Sequence, residues 1–186
     1  IYQNPKNYYA RFGPSMPERF GSLLIKKEDR FFYYHIGINP VRIARDLLQY
    51  QFSGKRKGSS TITQQLVKIV RGNEGKRTIA NKLKEAGYAL SLELYTPKEE
   101  ILAMYGNMAY FGNRIQGLDE ASRFYFTKDP RSLTDTEILQ LLATLSSPSQ
   151  NYPGTYANKK RVRLFAGILD IPLSSPAPSK PANPSQ

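Results

Sequence analysis

The chain has 186 residues, of which 40% are apolar, and this length is enough for one domain with a hydrophobic core. It contains no cysteine, which excludes disulfides and thiolate metal sites but does not fix the compartment. Its net charge of +12 favours an anionic partner, such as nucleic acid, an anionic membrane surface or a phosphorylated substrate.

The two ends of the chain differ in composition from the middle. Residues 1 to about 21 are rich in Tyr, Pro and Gly and show no clean period, so we expect an irregular lead-in. Residues 172–186, PLSSPAPSKPANPSQ, are mostly Pro and Ser and cannot bury enough apolar area to fold. The sequence therefore predicts one domain over 1–171, followed by a tail or linker over 172–186.

Helical patterns dominate the middle of the chain. Thr61 and Gln64 form a predicted capping box, Thr96 and Glu99 a second one, and Thr134 and Glu137 a third. Other apolar faces with helical spacing lie at 40–52 and 162–169, and Ile79, Leu83, Ala86 and Leu90 form the face predicted for a helix at 79–90. No stretch alternates convincingly with period two, so the predicted fold class is mainly α.

Two adjacent acids, Glu28 and Asp29, precede an aromatic run in EDRFFYYHIG, residues 28–37. An acid set against aromatic surface loses hydration, which raises its pKa and suits it to general acid or base work. An ordinary surface acid pair is the simpler interpretation, and composition alone favours it. His35 is the only histidine, and we predict a hydrogen-bonded structural role for it.

A basic band follows, in which residues 55–84 hold nine Lys or Arg and one acid, Glu74. Lys68 lies four residues after Gln64, and Lys82 lies three before Glu85, so each pair shares a helix face. A solvated basic face with a local ion pair is one interpretation. The other is an anion site to which the N-terminus of the 61–70 helix contributes. Nucleic-acid binding also suits such charge, but the sequence shows no helix-turn-helix, zinc, RRM or KH pattern.

Six stretches in order resemble the peptidoglycan glycosyltransferases of glycosyltransferase family 51, found in bifunctional penicillin-binding proteins and monofunctional transglycosylases. The resemblance covers about residues 17–168. It is carried by EDRFFYYHIGI, GSSTITQQLVK, NKLKEA, KEEILAMYGNMAYFG, RIQGLDEASRFYF and LTDTEILQLLATLSSPSQNYP.

The resemblance implies a lysozyme-like helical domain with a small membrane-associated jaw at about residues 36–58. It implies polymerisation of lipid II into β-1,4-linked glycan strands, with inversion at the anomeric carbon and release of undecaprenyl pyrophosphate. Glu28 matches the family's general base, and Glu85 its second acid. The substrate-binding positions that match are Arg45, Ser60, Gln64, Gln65, Lys68, Arg77 and Lys82.

The same resemblance implies cofactors, partners and a place of action. Mg²⁺ or Mn²⁺ assists some members, and Glu85 is the candidate ligand; no organic cofactor is expected. The implied partners are lipid II, the growing lipid-linked glycan, an anionic membrane surface and other cell-wall synthesis proteins, with no nucleic acid. The implied location is the extracytoplasmic (periplasmic) face of the bacterial cytoplasmic membrane, with the family's anchor missing from this chain.

Two departures from the family pattern bear on the site. Asn81 stands where the third motif usually has Arg, which removes one cation from the donor side; Lys84 points elsewhere on a helix. Gly106 replaces a usual aliphatic residue in the fourth motif, and we expect a looser helix end there.

Two rival functions remain at this point. A glycan-cleaving enzyme of lysozyme-like fold would also rely on a glutamate, but it needs no pyrophosphate site such as Lys68, Arg77 and Lys82. The other rival is a binding module, either an inactive relative or a basic nucleic-acid binder, and retention of both Glu28 and Glu85 argues against an inactive relative. The chain has no SxxK serine motif, so we expect it to polymerise and not to cross-link.

Overall fold

The computed structural model describes residues 16–53, 60–72 and 78–173. These residues are mainly helical, which confirms the predicted fold class. None of the helices in these ranges is long and apolar enough to cross a bilayer. The α-helices they contain are α1 Glu18–Glu28, α2 Pro40–Ser53, α3 Ile62–Val70, α4 Ile79–Tyr95, α5 Lys98–Met108, α6 Leu118–Phe126, α7 Asp135–Leu145 and α8 Tyr156–Leu169.

Two of the three predicted capping boxes are present. The Thr61 hydroxyl accepts from the N–H of Gln64 at the start of α3, and the Gln64 side chain accepts from the N–H of Thr61. Thr134 and Glu137 make the same reciprocal pair at α7. The prediction at α5 was wrong, because α5 begins at Lys98, two residues after Thr96, and Thr96 is the residue that follows the last turn of α4.

The α4 helix turns a different face inward from the one we predicted. Leu83 is 68% exposed, whereas Ala89 is completely buried. The reason is close backbone contact: Gly37 has a φ of +70°, and a Cβ there would lie 2.5 Å from the Ala89 carbonyl oxygen. Only a side of α4 with a small residue can approach so closely, so the bulky leucine faces outward.

The chain divides into two compact units, one of which is Glu28–Tyr105. The other joins the residues before 28 to those after 105. All described candidate site residues belong to the Glu28–Tyr105 unit. Within it, α2 occupies positions 40–53 of the predicted jaw, while 54–58 lie outside the described residues, as does the tail from 174 onward. The membrane association of the jaw stays a prediction.

The second unit has its core on α7, whose residues from Thr136 to Thr144 are all buried. The Asn158 amide of α8 reaches this core and donates to the carbonyl oxygens of Gln140 and Asn151, at 2.9 and 2.6 Å. Gly106 is also in this unit, and a Cβ added to it would lie 2.3 Å from Cε of Met16. The Met16 side chain thus occupies the space that the usual aliphatic residue would need.

Replacing Glu137 by Gln should give a stability loss that depends on pH. Burial acts to raise the pKa of Glu137, but hydrogen bonds from Lys128 and Thr134 outweigh it and lower that pKa. A lowered folded-state pKa adds stability at neutral pH that is lost as the pH falls through it. Gln can still serve the capping box. We therefore expect the free energy of unfolding of Glu137→Gln to be about 1–2 kcal/mol below that of wild type at pH 7, and this difference to shrink below about pH 4.

Urea unfolding of wild type and Glu137→Gln at several pH values measures this gap. The matched control is Glu100→Gln, an exposed glutamate in the first turn of α5, for which we expect little change. A gap between wild type and Glu137→Gln that stays constant from pH 7 to pH 3 would contradict the assignment.

Candidate active site

Glu28 is the last residue of α1, and its carboxylate receives a side-chain hydrogen bond from α3. Gln65 Nε2 donates to Glu28 Oε2 at 3.2 Å. The other end of the same amide is also engaged, because the Tyr105 hydroxyl of α5 donates to Gln65 Oε1 at 3.0 Å. Two predicted site residues, Glu28 and Gln65, are therefore in direct contact, and Tyr105 joins them.

Asp29 is chemically similar to Glu28 but is placed differently. Its side chain is buried, and Oδ2 accepts from His35 Nε2 at 2.9 Å and from the backbone N–H of Ile62 at 3.1 Å. Oδ1 lies 3.9 Å from Nη1 of Arg42. Ile62 is the first residue of α3, so the carboxylate also faces the positive end of that helix. Asp29 is thus a buried structural anion that is hydrogen-bonded through Oδ2, while Oδ1 has no hydrogen-bond partner among the described residues.

The segment between these acids and α2 is fixed by several further contacts. Arg42 donates to the backbone carbonyl oxygen of Glu28, and Lys98 Nζ donates to that of His35 at 2.7 Å. Because a carboxylate only accepts, His35 Nε2 must carry a proton toward Asp29. The prediction of a hydrogen-bonded structural histidine is confirmed.

A second polar cluster joins the start of α3 to α4. Lys82 Nζ donates to the Ser60 hydroxyl at 2.9 Å and pairs with Glu85 Oε1 at 2.9 Å. The lysine side chain is 47% exposed and the glutamate 15%. We call Ser60, Lys82 and Glu85 the α4 corner, which presents a cation, a hydroxyl and one carboxylate to the surface.

The other predicted residues of α2 and α3 lie in different surroundings. The Gln64 side chain is buried in the capping box, while Lys68 is exposed in the last turn of α3. Arg45 is exposed on α2. Neither Lys68 nor Arg45 forms an ion pair with any residue in the described ranges. Arg77 lies outside the described residues, so its predicted role stays a prediction.

The Tyr105 hydroxyl is held in its protonated form by its surroundings. Burial is the main cause that raises the pKa of Tyr105 far above its ordinary value, and the nearby Glu28 charge adds to it. The hydroxyl therefore remains a hydrogen-bond donor at all physiological pH values.

The sequence patterns did not show the contacts that three residues make in this site, namely Asp29, Gln65 and Arg42. They indicated Asp29 only as the neighbour of Glu28, and they assigned Gln65 to substrate without its bonds to Glu28 and Tyr105. Gln65 lies 37 residues from Glu28 and 40 residues from Tyr105, and contacts between residues so far apart leave no periodic signal in the sequence. Arg42 was not predicted at all, because helix-face patterns do not show which backbone carbonyl a guanidinium will reach.

Substituting the two adjacent acids should separate their roles by stability alone. Asp29→Asn removes the charge that faces His35, Arg42 and the α3 N-terminus, and we expect a loss of about 3 kcal/mol, typical of a broken buried pair. Glu28→Gln keeps the size of a half-buried side chain and should cost less than about 1 kcal/mol. Thermal and urea unfolding of both variants measure these losses of unfolding free energy. Equal losses in the two variants would contradict the assignment of a structural role to Asp29 alone.

The sequence of this chain is similar to those of known transglycosylases and penicillin-binding proteins. The profile of the transglycosylase family matches residues 3–168. Penicillin-binding protein 1F of Bacillus subtilis is 36% identical over 149 residues, which is 80% of this chain and 21% of that protein.

Two shorter relatives are named biosynthetic peptidoglycan transglycosylase. The protein from Shewanella denitrificans is 38% identical, covering 74% of this chain and 60% of its own length. The protein from Xanthomonas campestris pv. campestris is 38% identical, covering 79% and 59%. This chain thus spans about a fifth of the penicillin-binding protein and about three fifths of these two. With a family profile matched over most of its length, the chain belongs to the transglycosylase family, and so to the glycosyltransferases.

Proposed function

We propose that this chain polymerises lipid II into β-1,4-linked glycan strands, with inversion at the anomeric carbon. The observation that carries the proposal is the contact between Glu28 and Gln65, which brings together two motifs of the family resemblance. The α4 corner belongs to the same compact unit. A half-buried carboxylate and a partly exposed cation, Lys82, are two chemical elements that such a transfer requires.

In this proposal, Glu28 is the general base. The 4-hydroxyl oxygen of the acceptor, an incoming lipid II, attacks C1 of the donor sugar as its proton passes to the Glu28 carboxylate. The bond from C1 to the pyrophosphate oxygen breaks, and undecaprenyl pyrophosphate leaves with the electron pair. Glu28 suits this role better than Asp29, which is buried and whose Oδ2 already accepts from His35 and from the α3 N-terminus.

The leaving group gains negative charge, and the basic residues of α3 and α4 would stabilise it. Lys82 is held by Ser60 and Glu85, so its ammonium is placed before substrate arrives. Lys68, with no carboxylate paired to it among the described residues, would add an uncompensated cation. Arg77 and Arg45 are further candidates for the donor, as the resemblance implies.

We propose the α4 corner as the place for a divalent cation as well, where the cation would compete with Lys82 for Ser60 and Glu85. The residues that would hold it are Glu85 and Ser60, and hard cations accept carboxylate and hydroxyl oxygens. The described residues contain no group of three His, Cys, Asp or Glu side chains suited to a metal, so substrate oxygens would complete the coordination. Bound there, Mg²⁺ or Mn²⁺ would neutralise charge on the pyrophosphate.

The proposed place of action is the extracytoplasmic face of the bacterial cytoplasmic membrane, where lipid-linked substrate would be presented. The net charge of +12 suits an anionic lipid surface. Large exposed apolar side chains on α2, such as Leu48 and Phe52, support membrane contact by the predicted jaw. Other cell-wall synthesis proteins are proposed partners.

Glu28→Gln should abolish polymerisation while the protein remains folded. The carboxamide cannot take the acceptor proton, so we expect at least a 10²-fold loss of rate, as for removal of a general base. The assay supplies labelled lipid II with detergent and a divalent cation, and separates glycan ladders on a gel. Wild type that makes no polymer but cleaves finished peptidoglycan would contradict the proposal, as would an active Glu28→Gln.

Lys82→Ala should reduce polymerisation much more than Lys84→Ala. Both lysines lie on α4, but only Lys82 contacts Ser60 and Glu85. Removing one preorganised donor from a developing oxyanion costs about 10²–10³-fold in rate, whereas Lys84→Ala should stay within about twofold of wild type. The same gel assay compares them, and equal losses would show that only overall charge matters.

A further inference from the structure

The amide of Gln65 can be oriented in only one way between its two partners. A carboxylate is only an acceptor, so the end of Gln65 that faces Glu28 must be the Nε2 donor. The opposite end is then Oε1, and it needs a donor. The Tyr105 hydroxyl, 3.0 Å away, is that donor.

Tyr105 is itself held rigidly. Its side chain is only 3% exposed, and it lies on α5 inside the Glu28–Tyr105 unit. In this enclosed environment the hydroxyl has no bulk water to bond instead of Gln65. A buried donor with one strong acceptor fixes the rotamer of that acceptor as well as its own.

We propose that Tyr105 is a positioning residue that acts through Gln65: it fixes the Gln65 amide so that Nε2 holds the Glu28 carboxylate in the orientation needed to accept a proton. The proposal rests on the proposed function of Glu28. It changes the role predicted for Gln65, whose main task becomes the orientation of the base rather than contact with the donor. Tyr105 itself does not touch the reacting atoms.

Without the Tyr105 hydroxyl, the Gln65 amide is held at one end only, by the Glu28 carboxylate. The amide then moves more freely, and its buried Oε1 is left without a donor. The Glu28 carboxylate in turn loses the fixed donor that holds it in its productive position. A small displacement of a general base is expected to lower the rate of proton transfer, with less effect on substrate binding.

A double-mutant cycle tests this chain of contacts. Tyr105→Phe removes one hydroxyl from a buried ring, and Gln65→Leu removes the amide. We expect kcat to fall about tenfold in Tyr105→Phe and more in Gln65→Leu, with the KM for lipid II nearly unchanged. Since Tyr105 acts through Gln65, the double variant should be no slower than Gln65→Leu alone.

Gln65→Glu adds a second measurement, the pH–rate profile, which would not change if Gln65 had a purely structural role. It keeps an acceptor for Tyr105 but places a second carboxylate beside Glu28, so the acid limb of the pH–rate profile should shift to higher pH. Tyr95→Phe, at an 85% exposed tyrosine that ends α4, is the control for tyrosine-to-phenylalanine exchange and should keep wild-type kcat.

The outcomes distinguish this inference from the proposed function. If wild type polymerises and Glu28→Gln does not, but Tyr105→Phe keeps full kcat, the inference is wrong and the function stands. The inference is also wrong if the fold-loss of kcat in the double variant equals the product of the fold-losses in the two single variants, since Tyr105 would then act independently of Gln65. If wild type makes no polymer, the proposed function fails first. Thermal unfolding of each variant measures its folded fraction, so that a lower kcat caused by partial unfolding can be recognised.

Discussion

The buried carboxylate of Asp29 is the interaction on which the candidate site depends. It joins the turn after α1 to His35, to Arg42 of α2 and to the first N–H of α3. These contacts fix the start of α3 beside the end of α1. Gln65 lies one turn into α3 and Glu28 lies one residue before Asp29, so the same anion determines their distance. A neutral residue at 29 would leave a guanidinium and a helix N-terminus without their counter-charge.

The contrast between Glu28 and Asp29 shows how neighbouring acids acquire different chemistry from their surroundings. Asp29 faces the Arg42 guanidinium, an N–H of His35 and the positive end of α3. Glu28 ends α1, where a negative charge is disfavoured by the helix dipole. Lys26 and Lys27 in the same turn, and the bond from Gln65, partly offset that cost. An acid placed where the helix dipole opposes its charge is more often found at functional sites than among structural ion pairs.

Sequence patterns predicted helices and caps well, because those depend on residues three or four apart. The boxes at Thr61 and Thr134 are examples. The inward face of α4 was not predictable, since it depends on the positive φ of Gly37, far along the chain from Ala89. The motif resemblance identified Glu28, Lys82 and Glu85 as site residues, and the structure shows how the last two meet. It could not show that Gln64 is buried and that its neighbour Gln65 reaches Glu28, because adjacent helical residues point about 100° apart.

The balance of charge in the Glu28–Tyr105 unit explains why a basic surface persists beside several acids. Glu93 is buried against Lys98 and receives a bond from the Thr63 hydroxyl, and Asp29 is enclosed by its own partners. Buried acids of this kind neutralise the cations that they touch and leave others, such as Lys68, without a counter-charge among the described residues. The uncharged amides and hydroxyls of 60–65 add no negative charge near those cations. A pyrophosphate approaching this surface would therefore meet net positive potential, while the proposed base, Glu28, lies beside Gln65.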